Sequence, residues 1–243
     1  MSIALLQRAV ALVYPPECLL CRAAMGSDFG LCPDCLINTP FVTGPVCDRC
    51  GVRMLVEDSD GTEICDDCVA LPRPWTQARA VFRYTGQARR LVLALKHGDR
   101  LDLARAAGPW LAGAARPLCQ EGTLVVPIPL HPWRQFRRRY NQAAELSRAL
   151  SRQAGLSYAP EALRRTRHTP SLDHRTRDDR MDVMVGAISA QGDGLKDRHV
   201  LLVDDVMTSG ATMAAAADAA LGAGARRVDC VVLARVEKDD PGL

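Results

Sequence analysis

The sequence predicts an α/β protein, in which helices flank a parallel β-sheet and a small cysteine-rich domain comes first. Two apolar runs, residues 124–130 and 200–203, are typical of strands that are buried on both faces. A stretch rich in helix-forming residues follows each run, which is the order expected of parallel strands. The cysteine-rich domain is indicated by four Cys-x-x-Cys pairs between residues 18 and 68.

Composition bounds the number and size of the domains. With 243 residues, of which 48% are hydrophobic, the chain can form one domain of ordinary size and a small appendage. We place the cysteine-rich domain at residues 18–71 and the α/β domain at residues 75–237, with an amphipathic helix at 1–17 and a loose tail at 238–243. The net charge is only +3 and aromatic residues make up 5%, so a broad base-stacking surface is not indicated.

The apolar segment at residues 3–14 differs from a signal peptide in three ways. Gln7 and Arg8 interrupt it, no basic leader precedes it, and no small-residue cleavage site follows it. It is also shorter than the roughly 20 residues that cross a bilayer. We therefore expect no membrane insertion, and a helix that docks on a neighbouring domain or subunit, which allows an oligomer.

Paired thiolates at the Cys-x-x-Cys spacing are typical of zinc sites. The simplest pairing joins consecutive pairs into two four-cysteine sites, while an interleaved pairing, in which the first and third pairs share one metal, stays open. Four thiolates leave no open coordination position, so both zinc ions are expected to be structural. Each would contribute about 10–16 kcal/mol to the folding of a domain with little apolar burial. The predicted ligands are Cys18, Cys21, Cys32, Cys35, Cys47, Cys50, Cys65 and Cys68.

The remaining cysteines and the arginines nearby indicate a location and partners. Cys119 and Cys230 lie in apolar stretches, which is typical of unreactive core thiols. Thiolate-bound zinc together with unpaired cysteines fits a reducing cytoplasm, which is the predicted location. The main positive groups through which the cysteine-rich domain could contact nucleic acid or a protein partner are Arg22, Arg49, Arg53 and Arg73.

Residues 199–212, HVLLVDDVMTSGAT, carry the chemistry of the α/β domain. Asp204 and Asp205 follow the buried strand, so they are expected at its carboxyl end. A loop and a helix start come next, where free backbone N–H groups and the helix dipole favour a phosphate. Carboxylates beside a phosphate site suit a sugar phosphate, because they accept hydrogen bonds from ribose hydroxyls. The candidate phosphate-binding residues are Met207, Thr208, Ser209, Gly210, Ala211 and Thr212.

Two arginine-rich stretches could bind further phosphates. The first, residues 131–140, precedes Asn141, which is a good N-cap for the next helix. Guanidinium groups bind phosphate oxygens in a bidentate manner, so this stretch could hold pyrophosphate; a solvated basic loop or a nucleic-acid contact is the alternative. The second, residues 164–187, has dense charge and little periodicity, which is typical of a lid loop. The candidates are Arg134, Arg137, Arg165, Arg167 and Arg175.

These motifs resemble known families. The acidic pair and the loop after it look like the phosphoribosyl pyrophosphate (PRPP) signature of the type I phosphoribosyltransferases. The cysteine pairs, followed by ARAVFRYTGQARRLVLALKHG, VVPIPLHPWRQFRRRYNQAAELSRAL and LRRTRHTPSLDHRTRDDRMDVMVGAI, resemble the ComF family of competence-associated proteins over nearly the whole chain. The resemblance implies a double zinc ribbon joined to a type I phosphoribosyltransferase-like parallel sheet.

The resemblance also implies roles for the candidate residues. Asp204 and Asp205 would meet the ribose 2′- and 3′-hydroxyls, and residues 207–212 would wrap the 5′-phosphate. Magnesium would accompany PRPP and bridge its oxygens. Pyrophosphate would be held by Arg134 and Arg137, with Arg165, Arg167 or Arg175 closing from above.

Two functions follow from the resemblance. The first is a protein that binds PRPP with magnesium and single-stranded DNA, and that supports DNA uptake in natural transformation together with other DNA-uptake proteins. The alternative is an active phosphoribosyltransferase, which moves the phosphoribosyl group of PRPP to a nitrogenous acceptor in nucleotide metabolism. In that reaction the protein would mainly position the reactants and neutralise charge, and the sequence identifies no general base.

Overall fold

The computed structural model describes residues 15–55, 62–97, 100–130, 140–167 and 177–237. The predicted tail at 238–243 and all but the last three residues of the predicted N-terminal helix lie outside these ranges.

The main sheet has five strands, and every neighbouring pair is parallel. The predicted parallel sheet is therefore confirmed. Its strands are β1 (Ala78–Arg83), β2 (Leu124–Pro127), β3 (Ser157–Tyr158), β6 (His199–Met207) and β7 (Arg227–Arg235), and a separate antiparallel hairpin joins β4 (Leu163–Arg165) to β5 (Ile188–Ala190). The order across the main sheet is β1-β7-β6-β2-β3.

Helices cover both faces of the sheet. In chain order the helices are α1 (Pro33–Ile37) and α2 (Asp66–Ala70) of the cysteine-rich domain, followed by α3 (Gly86–His97), α4 (Leu101–Ala115), α5 (Gln142–Ala154), α6 (Arg177–Met184) and α7 (Ala211–Gly222) of the α/β domain. Alternate residues of β6 point to opposite faces: Leu201 and Val203 pack with α3, α4 and α5, whereas Val200 and Leu202 pack with α7 and the β4–β5 hairpin. This two-sided burial explains why the strand is an unbroken apolar run.

Local signals fix the ends of several elements. The side-chain oxygen of Asn141 accepts a hydrogen bond from the backbone N–H of Ala143 at 3.0 Å, so Asn141 caps α5 as predicted. Gly155 ends the same helix in the left-handed conformation, at φ 66°. In contrast to the expectation, β6 continues through both aspartates and ends at Met207, which leaves a loop of only three residues before α7.

The stretch at residues 164–187 is not one long loop. Leu163–Arg165 form β4, and Arg177–Met184 form α6, so the charged segment is partly built into regular structure. Helix α4 was not predicted, because its alanines and glycines show no clear amphipathic period. Gly108 lets α4 approach α5 closely, since a Cβ at this position would lie 3.1 Å from the carbonyl oxygen of Ala149.

The cysteine-rich domain covers the free edge of β1. The backbone N–H of Val42 donates to the carbonyl oxygen of Val81, and the N–H of Ala78 donates to that of Asp48, at 2.9 and 2.8 Å. Phe41 also meets Phe82 edge-on, with ring centroids 4.7 Å apart. An exposed strand edge would offer unpaired backbone groups to other chains, so this cover completes the sheet.

No helix in the described part of the chain is both long enough and apolar enough to cross a membrane.

Candidate functional site

Two four-cysteine clusters form in the cysteine-rich domain, and each joins consecutive Cys-x-x-Cys pairs. In each cluster the four sulfur atoms lie within 4.8 Å of one another, with Cys21 and Cys32 sulfurs 3.6 Å apart, and Cys50 and Cys65 likewise. A tetrahedral zinc site with Zn–S bonds of about 2.3 Å requires sulfurs roughly 3.8 Å apart. The residues therefore fit zinc, and the pairing that the sequence left open is the consecutive one. The first cluster contains Cys18, Cys21, Cys32 and Cys35, and the second contains Cys47, Cys50, Cys65 and Cys68.

The two clusters repeat one backbone arrangement. In both, the fourth residue after the first cysteine is left-handed, namely Arg22 at φ 62° and Gly51 at φ 69°, and donates its N–H to the carbonyl oxygen of that cysteine. Gly51 has a second reason to lack a side chain, because a Cβ there would lie 3.2 Å from the backbone of Arg79. The second cluster therefore sits tightly against β1.

Hydrogen bonds prepare the thiols for metal binding. Burial raises the pKa of the Cys18 thiol. Hydrogen bonds from the backbone of Cys21, Cys32 and Leu20 outweigh this effect and lower the pKa to about 6. Hydrogen bonds from Cys50 and Cys68 hold the pKa of Cys47 far below its usual range. Each cluster thus carries one readily ionised thiol, and a bound zinc ion would deprotonate the rest.

The acidic pair lies within the carboxyl-terminal half of β6, and its two side chains face opposite sides of the sheet. Asp205 is buried, and its Oδ2 lies 3.5 Å from Nζ of Lys96, near the end of α3. Asp204 is half-buried, and the positive charge of Arg165, on β4, favours its ionised form. Each aspartate therefore has a cation acting on it, and one of these, Lys96, was missed by the sequence analysis.

Asp204 is nevertheless a weak acid. Burial is the largest influence on its pKa and repulsion from Asp205 is the next, and together they raise the pKa to about 8. The backbone N–H of Asp205, which donates to Oδ1 of Asp204 at 2.8 Å, and the charges of Lys96 and Arg165 only partly oppose this rise. Near neutral pH Asp204 is therefore largely protonated.

The loop after β6 leads directly into the start of a helix. Gly210 is left-handed, at φ 84°, and begins α7, where the N–H groups of the first turn lack partners within the helix. Thr208, Ser209 and Thr212 are partly exposed, so their hydroxyls can add donors to the same oxygens. Met207 and Ala211 are buried and can only contribute backbone groups.

The predicted phosphate-binding arginines fall into different environments. Arg165 is 5% exposed and donates to the sulfur of Met184 at 3.1 Å, so it is a fixed part of β4 and does not belong to a lid. Arg167 is exposed and donates to the carbonyl oxygen of Val185 at 2.6 Å, just after the end of α6. The other three candidates, Arg134, Arg137 and Arg175, lie outside the described residues.

Two of the four arginines that were predicted to be the main positive groups of the cysteine-rich domain form hydrogen bonds inside the protein. Arg49 donates to the carbonyl oxygens of Trp75 and Thr76, both at 3.1 Å, and Arg73 is buried against the loop after β6. Only Arg22 and Arg53 of that set are exposed. The cysteine-rich domain therefore uses Arg49 and Arg73 to hold the two domains together. Fewer of its arginines are then available to bind nucleic acid than the sequence predicted.

Comparisons with known proteins agree with the two-part construction. A double zinc ribbon domain model matches residues 9–69, and a phosphoribosyl transferase domain model matches residues 143–241. Competence protein F of Haemophilus influenzae is 27% identical over 205 residues, which cover 81% of this chain and 87% of that protein. The chain is therefore assigned a double zinc ribbon domain followed by a phosphoribosyl transferase domain.

Other relatives of this chain carry a different name. DNA utilization protein YhgH of Escherichia coli K12 is 29% identical over 230 residues, and that of Salmonella typhimurium is 28% identical over 237 residues; each match covers 92% of this chain and 99% of the relative. Among solved structures, TT1426 of Thermus thermophilus matches at 21% identity with a TM-score of 0.36, covering 56% of this chain and 84% of that one. The assignment rests on the two domains and their order.

Proposed function

We propose that this protein is a member of the ComF family, that it binds PRPP with magnesium, and that it handles single-stranded DNA during DNA uptake. The observation that carries the PRPP part is the run from Asp204 to Gly210, which puts two carboxylates and a left-handed helix start within one strand and turn. Carboxylates recognise ribose hydroxyls, and the amides of the turn recognise the 5′-phosphate. The phosphoribosyl transferase domain match supports the same ligand class.

The residues around this turn would divide the work. Asp204 and Asp205 would accept hydrogen bonds from the ribose hydroxyls, and magnesium bound together with PRPP would neutralise part of its phosphate charge. Lys96 lies 3.5 Å from Asp205 and can release that carboxylate to bind a phosphate oxygen instead. Arg134 and Arg137 are proposed to hold pyrophosphate and to contact the DNA backbone, with Arg165, Arg167 and Arg175 as the remaining candidates.

The DNA part is supported by the relatives' names and by charge. Proteins called competence protein F and DNA utilization protein match along most of this chain. Four arginines between residues 134 and 139 provide a local cation cluster in a chain whose net charge is only +3. A cluster of this kind binds phosphates of any sequence, so the proposed DNA binding is not base-specific.

Calorimetry with PRPP and magnesium tests the ligand assignment. At about pH 9, above the pKa of Asp204, Asp205→Asn and Asp204→Asn should each weaken binding by about tenfold, the loss expected for one hydrogen bond to a charged group. Asp193→Asn, an exposed aspartate before β6, is the matched control and should bind as the wild type does. Zinc content should stay the same in all three variants. Unchanged affinity in both site variants would remove the ribose assignment.

A second experiment separates DNA handling from catalysis. Fluorescence anisotropy with a labelled oligo-dT should show binding that weakens steeply with salt, because phosphate contacts release counterions. In parallel, pyrophosphate release from PRPP is measured with and without nucleobases. Base-dependent release would favour the active transferase, whereas salt-sensitive DNA binding without release favours the proposed function.

A further inference from the structure

Arg73 is hydrogen-bonded to the loop that follows β6. Nη1 of Arg73 donates to the carbonyl oxygen of Ser209 at 2.9 Å. The same guanidinium hydrogen-bonds to the thiol of Cys68. Arg73 is 8% exposed, so neither contact is diluted by solvent. One buried side chain thus joins a ligand of the second zinc cluster to the loop.

Arg235, at the end of β7, makes the same kind of connection. Its Nη1 donates to the carbonyl oxygens of Met207 and Thr208 at 3.0 and 2.6 Å, and its Nε donates to that of Cys50 at 3.1 Å. Arg235 is also buried. Cys50 and Cys68 both belong to the second cluster, so two independent arginines connect that cluster to the loop.

The carbonyl oxygens that these arginines hold are consecutive. They belong to Met207, Thr208 and Ser209. In a trans peptide the C=O and the following N–H point in opposite directions within one plane. Fixing these three carbonyls therefore fixes the N–H groups of Thr208, Ser209 and Gly210, which are the donors available to a phosphate.

The first cluster contacts a different part of the molecule. The carbonyl oxygen of Cys35 accepts from Thr39, whose hydroxyl lies 3.1 Å from Oε1 of Gln87 on α3. Arg105, on α4, lies 4.6 Å over the ring of Phe29. Cys21 of this cluster is exposed, whereas the second cluster has three buried cysteines. The two zinc sites therefore differ both in neighbours and in access to solvent.

We infer that zinc in the second cluster and a phosphoribosyl ligand in the loop stabilise each other's binding, with Arg73 and Arg235 as positioning residues, while the first zinc is outside this coupling. The inference rests on the proposed PRPP binding. An emptied second cluster would release Cys50 and Cys68, and the two arginines would lose the partners that aim them at the loop. Coupling between two ligands is reciprocal, so PRPP must also retain the zinc.

Zinc release to a chromogenic chelator, in excess magnesium, measures the coupling directly. Wild-type protein should lose one zinc equivalent quickly and one slowly, because one cluster is exposed and the other buried. Saturating PRPP should slow the release of the second-cluster zinc by at least about fivefold, which is the lower end of usual coupling strengths. It should leave the release of the first-cluster zinc unchanged. Equal effects on both equivalents, or on neither, would overturn the coupling.

Lysine variants identify the residues that transmit the effect. Arg73→Lys and Arg235→Lys keep the positive charge, but a lysine cannot hydrogen-bond to the second cluster and to the loop at the same time. In the absence of PRPP, these variants should therefore release the second-cluster zinc faster than the wild type does. They should also lower the PRPP protection. Arg105→Lys, beside the first cluster, is the matched control and should leave the protected equivalent unchanged. Protection that persists in both lysine variants would remove their positioning role.

Calorimetry on the same wild-type sample separates the two ways of failing. PRPP that binds with heat but does not slow zinc release would overturn the coupling and leave the proposed function intact. PRPP that gives no binding heat would overturn the proposed function and the coupling together.

Discussion

The indole of Trp75 lies directly against Gly210, so that a Cβ on this glycine would be 3.1 Å from Cη2 of the ring. Trp75 is 1% exposed and its Nε1 donates to the carbonyl oxygen of Arg49, next to the second zinc cluster. The turn that begins α7 therefore needs glycine for two reasons, its left-handed φ of 84° and the ring beneath it.

Gly210→Ala should weaken PRPP binding by about tenfold or more and destabilise the protein by about 1–2 kcal/mol, because the added Cβ both strains the turn and displaces Trp75. Calorimetry and urea unfolding measure the two effects. Gly192→Ala is the control, because Gly192 is also left-handed, at φ 63°, but has nothing within 4 Å of the added Cβ. If both variants bound PRPP equally well, the contact with Trp75 would not matter to the site.

Asp204 should make stability depend on pH in a way that Asp204→Asn removes. Its pKa rises from 3.8 to about 8 on folding, so the folded state keeps a proton that the unfolded state gives up. The stability from this group is full below pH 3.8 and is lost as pH rises towards 8. Urea unfolding between about pH 6 and pH 9 should therefore show wild type weakening relative to the variant up to about pH 8, and a constant difference above it. A constant difference throughout would contradict the raised pKa.

The parts of the site that depend on neighbouring residues could be predicted from the sequence. The apolar strand, the acidic pair, the glycine turn and the Cys-x-x-Cys pairs are all local patterns, and the structure contains each of them. The residues that brace the site could not be predicted in this way. Arg73 is 136 residues from its partner Ser209, and Arg235 is 185 residues from Cys50, so only the tertiary fold brings them together.

Lys96 and Arg165 show the same limit in another form. Both are ordinary helix or strand residues in the sequence, and the dense charge around Arg165 led to its assignment to a mobile lid. In the structure Arg165 belongs to a strand whose hairpin packs on the sheet face that Asp204 points to. Which cation meets which carboxylate depends on that packing, which local periodicity does not encode.

Metal analysis should find two zinc ions per chain, held by eight cysteines. Cys119→Ser and Cys230→Ser should keep both ions, because Cys230 is fully buried inside the sheet and neither cysteine belongs to a four-cysteine cluster. Burial raises the pKa of both thiols, so neither should react quickly with a thiol reagent at neutral pH. Loss of zinc from either variant would show that the consecutive pairing is incomplete.

Asp229→Asn should destabilise the fold without weakening PRPP binding, because Asp229 lies at the opposite ends of the strands from the acidic pair. Its buried carboxylate accepts from His199 at 2.7 Å, from Arg227 at 2.8 Å and from the backbone of Gln77 at 2.9 Å.

An amide cannot satisfy three donors as a carboxylate does, so we expect a loss of about 3 kcal/mol in urea unfolding. Glu121→Gln, on the exposed turn before β2, is the control and should change stability by less than about 0.5 kcal/mol. Calorimetry at a temperature where the variant is folded should then give wild-type affinity for PRPP. A variant that is stable but binds PRPP poorly would mean that the two ends of the sheet are coupled, either along strands β6 and β7 or through the segment from Trp75 to Gln77, which contacts both Gly210 and Asp229.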